Sequence, residues 1–137
     1  MQITKFDLER DLIIVPARIW GRSGSRMLSL VLDTGSASTV IAPQVVKDIG
    51  YDPRDRIALT TVRSALGKEH GYTLKIARFA ALGFVFTDFE VNVFDLATGY
   101  DIDGLVGLSF LRNFDYEVRS IVGKISVRPA VTDPFSP

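Results

Sequence analysis

The residues best equipped for chemistry lie together in Leu30-Val31-Leu32-Asp33-Thr34-Gly35-Ser36-Ala37-Ser38-Thr39. An apolar run delivers one carboxylate, followed at once by a hydroxyl, a glycine and a second hydroxyl. A carboxylate withdrawn from water needs hydrogen-bond partners, and Thr34, Ser36 and the nearby backbone N–H groups are placed to supply them. A carboxylate held in this way suits proton transfer to and from a reacting group. Ordinary turns favour the same residue types, so Asp-Thr-Gly alone fits a plain strand-ending turn equally well.

Composition narrows the chemistry further. The chain has 137 residues, 16 Lys plus Arg against 16 Asp plus Glu, one His and no Cys. Without Cys there are no thiol nucleophiles, disulfides or thiolate metal sites. One His is too few for the usual imidazole metal sets. Neither a metal nor another cofactor is therefore expected, and carboxylates are the reactive groups that remain. Balanced and scattered charge argues against a nucleic-acid partner. No apolar run reaches the ~20 residues of a membrane span. The start MQITKFDLER is charged throughout, unlike a secretory leader. A cytoplasmic domain is the expectation, either whole or as one part of a longer protein.

The elements that must position Asp33 read as short strands. Residues 11–20 are rich in β-formers, with Pro16 marking an edge or bulge. Gly21–Ser25 is a turn. Met27–Leu32 has the apolar continuity of a strand buried on both faces. Residues 43–49 suit a short helix, with Pro43 opening it and Gly50 closing it. Residues 57–64 and 69–77 form a hairpin around the tip Ala65–Lys68. In residues 83–94, Val85, Phe89, Val91 and Val93 fall on one face of a strand, against Asp88, Glu90 and Asn92. The aromatics Phe79, Phe84, Phe86 and Phe89 are core or interface. Residues 104–112 are apolar nearly all round, as a small buried helix is. Residues 116–128 return to strand. The result is a mostly-β single domain over 1–128, with a proline-containing tail at 129–137.

Asp33-Thr34-Gly35-Ser36, preceded by Leu32, resembles the active-site loop of the retropepsin-like aspartic proteases, the superfamily of pepsin and the retroviral enzymes. Gly104-Leu105-Val106-Gly107-Leu108 resembles that superfamily's second element, two hydrophobics and a glycine leading into a short helix. Ser64-Ala65-Leu66-Gly67 is similar to a flap tip. The likeness covers roughly residues 12–128 and is nearest to single-domain cellular members. Viral members carry an acid and an arginine where this chain has Ala37 and Leu108, so that ion pair is absent as a pair.

The resemblance implies an acid-protease barrel with a flap hairpin and one or two short helices. It implies endopeptidase chemistry on a polypeptide, with two Asp33 carboxylates, one from each chain of a homodimer, activating a water. Thr34 would bond across the two-fold axis, and Gly35 would let the backbone approach closely. Ser36 would bond the outer carboxylate oxygen. Leu105, Val106 and Gly107 would support the loop from behind, and Ser64–Gly67 would close over the substrate. A protease-like domain that binds peptides or dimerises without efficient hydrolysis remains the alternative. His70 reads as a surface residue beside the flap. Asp101 and Asp103 read as turn and capping residues, lacking the other ligands of a calcium loop.

Overall fold

The computed structural model describes residues 1–64, 67–96 and 101–129. Six strands close into a barrel: β2 (Ile14–Gly21), β3 (Gly24–Leu32), β8 (Gly104–Val106), β4 (Val40–Ile41), β7 (Phe84–Val93) and β6 (Gly67–Ala81). β6 pairs back onto β2 through Ala17↔Ala81 to Trp20↔Arg78. β5 (Ala58–Ser64) lies outside the ring, paired only with β6. A separate antiparallel sheet joins β1 (Gln2–Lys5), β10 (Lys124–Pro129) and β9 (Phe114–Arg119) in that order. Two short helices complete the chain, α1 (Pro43–Asp48) and α2 (Leu108–Leu111). The mostly-β barrel expected from the sequence is the fold found. Among the described residues no helix is long and apolar enough to cross a membrane.

Alternation fills the barrel. Val15, Ala17 and Ile19 of β2, Leu28 and Leu30 of β3, and Leu74, Ile76 and Phe79 of β6 all point inward and are buried. Burying each larger aliphatic or aromatic side chain contributes about 1.5–3 kcal/mol. Phe79 stacks on Phe89 with centroids 4.8 Å apart and meets Phe110 edge-on at 5.4 Å. Phe84 and Phe86 pack into the same cluster through Phe110 and Phe114, so these aromatics are core. α1 is built as its sequence indicates. Pro43 stands at its first turn, Val45, Val46 and Ile49 are buried, and Gly50 follows at φ +96.

Several expectations are corrected. β3 is not buried on both faces. Leu28 and Leu30 fill the barrel, while Met27 is 60% exposed and Ser29 is exposed, because a single barrel wall has one face in water. In β7, Val85 points outward and Phe84 and Phe86 turn toward the core. The reversal occurs at Asp88, which adopts φ +50. β6 reverses with it, its inward side passing from Leu74 and Ile76 to Phe79 and Ala81. At this double kink the Ala77 N–H donates to the Tyr51 hydroxyl at 3.2 Å instead of to a ladder carbonyl.

The run 104–112 is not one helix. Gly104–Val106 is a strand and only Leu108–Leu111 is helical, because the sheet on both sides claims the first three residues. Residues 116–128 form two strands that turn at Gly123, φ +66. β1 was not expected at all. Pro129 closes β10, one residue past the expected domain end, and 130–137 lie outside the described residues.

Candidate active site

The backbone delivers Asp33 to a fixed place. The Leu32 N–H donates to the Ile13 carbonyl, and the Asp33 N–H donates to the Val106 carbonyl, each at 2.9 Å. The chain then turns sharply. The Gly35 N–H donates to Asp33 Oδ1 at 2.9 Å, and the Ser36 N–H to the Asp33 carbonyl at 3.3 Å. One carboxylate oxygen is thereby aimed by its own loop. Asp33 itself is half-buried.

That loop rests on β8. The strand lies between β3, which it pairs in parallel through Leu30↔Gly104 to Leu32↔Val106, and β4, which it pairs antiparallel through Val40↔Leu105. The first and last strands of the Asp33 loop thus embrace a third strand from about 70 residues later. Val106 is fully buried and Leu105 partly so. Behind the loop, the Leu108 N–H donates to the Ser36 carbonyl at 2.8 Å and the Ser109 N–H to the Ala37 carbonyl at 2.9 Å. Gly107 permits this approach, since a Cβ there would fall on the carbonyl oxygens of Ser36 and Ser38.

Two hydroxyls not anticipated from the sequence brace the same junction. Thr39 is 1% exposed. Its Oγ1 accepts from the Gly107 N–H at 3.2 Å and lies 2.9 Å from Ser109 Oγ, which in turn accepts from the Thr39 N–H at 3.1 Å. The available signals were small: Ser109 is the lone polar residue in an apolar run, and Thr39 immediately precedes Val40-Ile41. Ala37 and Leu108 supply backbone bonds at this junction, and the neutral hydroxyl pair sits close by.

Other expected site residues fall as follows. Thr34 is exposed at the turn. Ser36 Oγ donates to the Ser38 carbonyl at 2.8 Å. Its single proton is spent there, so the expected bond to the outer carboxylate oxygen is not made. A Cβ on Gly35 would sit 3.2 Å from Asp33 Oδ1. Ser64 and Gly67 pair at the end of the β5–β6 hairpin, and Ala65 and Leu66 lie outside the described residues. A cavity of about 320 Å³ separates the loop from the hairpin base, lined by Ser36, Ser38, Val40, Thr60, Asn92 and Phe94. The Thr60 Oγ1 is buried and has no hydrogen-bond partner among the described residues.

His70 is exposed on β6, opposite Thr61. The Asp103 carboxylate accepts from the Ser29 N–H at 2.9 Å and from Arg26 at 3.1 Å, which is a bracing role. Perturbed titration lies lower on the hairpin. Burial pushes the Tyr72 phenol up, assisted by the negative charges of Asp52 and Asp55. Hydrogen bonds from Arg54 hold the exposed Asp52 carboxylate below its ordinary range.

The profile of a family described as aspartyl protease matches residues 15–110, the span from β2 through the first residues of α2. A crystal structure of a retropepsin-like aspartic protease from Rickettsia conorii is similar in fold, with a TM-score of 0.67 and 17% identity, over 91% of this chain and 87% of that one. No curated protein matches the chain.

Proposed function

The chain belongs to the aspartyl protease family, and from that premise we propose that it is an endopeptidase whose reaction runs on Asp33. The observation that carries this reading is the Asp33 loop, held by β8 and by the Gly35 amide in a form suited to presenting a carboxylate. Hydrolysis by carboxylates needs one ionised group to activate water and one protonated group to polarise the carbonyl. Two carboxylates about 3 Å apart cannot both ionise, so a pair provides both forms near mildly acidic pH. The sequence holds one Asp-Thr-Gly. A second chain across a two-fold axis supplies the partner most simply. Thr34, exposed at the loop tip, is available to bond across that axis.

In this reading an extended polypeptide lies between the loop and the β5–β6 hairpin, and the segment Ser64–Gly67 closes over it. Closure adds strand-like backbone bonds and excludes water. Asp33→Asn and Asp33→Ala are expected to abolish cleavage of a peptide library while thermal unfolding stays near wild type. A variant that still cleaves at the wild-type rate would end the assignment. Sedimentation over a concentration range tests the shared site, and an active strict monomer contradicts it. A transition-state mimic with a central hydroxyl is expected to bind far more tightly than its matched peptide. Equal affinity favours a peptide-binding domain without efficient hydrolysis.

A further inference from the structure

The outer wall of the barrel carries a second feature, at the far end of β3 from Asp33. Residues directly opposite one another across antiparallel strands share a face. Two outward rows follow from the register. One runs Ser25–Trp20–Arg78–Thr87, and the next runs Met27–Arg18–Ala80–Val85, each crossing β3, β2, β6 and β7 in turn. Met27 is 60% and Val85 56% exposed, so two apolar side chains stand in water at the ends of one row. With Pro16 and Trp20 they line a groove of about 490 Å³.

Arg18 is the charged residue of the groove's lining, and Arg78 stands beside it in the neighbouring row. Arg78 stacks over the Trp20 ring at 4.5 Å and Arg18 lies over it at 5.2 Å. A guanidinium lying over an indole ring is held by cation–π attraction and still carries N–H donors that match a carboxylate. Arg18 spends Nε and Nη2 on Ser25 Oγ. Among the described residues neither arginine has a carboxylate within ion-pair distance, although four other arginines do. Neither row contains an acid.

We infer that this face docks an acidic polypeptide segment flanked by apolar residues. Its carboxylates would take the remaining N–H donors of Arg18 and those of Arg78, and its apolar side chains would cover Met27 and Val85. The dimensions agree. Three inter-strand gaps of about 4.8 Å put the row ends roughly 14 Å apart, which four residues of extended chain also span. Met27 lies six residues before Asp33, roughly 20 Å along β3. The docking surface therefore stands independently of the peptidase reading.

Trp20 is the chain's one tryptophan, so intrinsic fluorescence reports on this face alone. The probe is a capped pentapeptide, Leu-Asp-Glu-Asp-Leu, titrated beside its neutral analogue Leu-Asn-Gln-Asn-Leu. The acidic peptide is expected to change Trp20 emission and to bind at least tenfold more tightly than the analogue. Raising the salt from 50 to 300 mM is expected to weaken it. The double variant Arg18→Gln, Arg78→Gln is expected to lose at least tenfold in affinity with its unfolding unchanged, as both side chains are exposed. Met27→Ala and Val85→Ala are each expected to weaken binding severalfold. Equal affinity for the two peptides, or undiminished binding by the double arginine variant, overturns the proposal. Emission that instead tracks protein concentration without peptide assigns the face to a second copy and overturns it equally. Asp33→Asn binding like wild type is the expected control.

Discussion

Thr39→Val and Thr60→Val make the same chemical change at two half-turns of the same site, and the structure assigns them opposite consequences. Each replaces a hydroxyl with a methyl group and keeps the β-branched shape. At Thr39 the hydroxyl accepts the buried Gly107 N–H and pairs with Ser109. Removing it leaves a buried amide donor unsatisfied, at about 1–3 kcal/mol, and forfeits a hydroxyl–hydroxyl bond of about 1 kcal/mol. The expected loss is about 2–4 kcal/mol. For a chain of this length each kcal/mol moves the midpoint by roughly 3–4 °C, so Tm falls by about 6–16 °C. At Thr60 the hydroxyl is buried with no partner among the described residues. Its removal is expected to leave stability unchanged or raise it by up to about 1 kcal/mol. Urea unfolding followed by Trp20 emission, at one fixed protein concentration to hold any association constant, separates the two variants cleanly. If Thr39→Val is as benign as Thr60→Val, the hydroxyl brace behind the Asp33 loop is not what holds it.

Gly107→Ala drives a Cβ onto two backbone carbonyls and is expected to cost at least about 3 kcal/mol, measured by the same unfolding curves. Gly35→Ala meets only the Asp33 carboxylate oxygen, 3.2 Å away; it is expected to unfold near wild type yet lower kcat against a peptide substrate more than tenfold. The Tyr72 phenol, raised chiefly by burial, should give a step above the ordinary tyrosine range in an ultraviolet titration. Its folded value lies above its unfolded one, so its contribution to stability is complete below the ordinary tyrosine range and is lost as pH rises through the raised value. Tyr72→Phe removes that late step and the alkaline loss that accompanies it.

Much of this was legible because certain residues permit few conformations. Pro43 and Gly50 bracket α1, and Gly21 to Gly24 close the β2–β3 hairpin. The Asp33 loop was legible because a carboxylate after an apolar strand is costly without partners. What was not legible depends on neighbours distant in sequence. Val85 follows the alternation of Val91 and Val93, but the positive φ of Asp88 and its matching kink at Ala77 exchange the faces. Gly104–Val106 has a helix-like apolar run, yet two flanking strands supply its backbone bonds. β1 has no internal pattern to betray it, since its partner is the stretch Lys124–Val127 of β10, far along the chain. The Ser36 hydroxyl was assigned to Asp33, and a nearer carbonyl captured it.

The insertion of β8 between β3 and β4 also fixes when the site can exist. Asp33 leaves the ribosome well before Val106, whose carbonyl accepts its backbone N–H, and the Gly107 contact needs Thr39 already in place. Closing so long a loop is an entropic cost met late in folding. A nascent chain therefore carries Asp33 on an unsupported turn until β8, about 70 residues further on, has been made. The support of the Asp33 loop is thus assembled only when β8 has slotted between β3 and β4, which couples the loop's geometry to closure of the whole barrel.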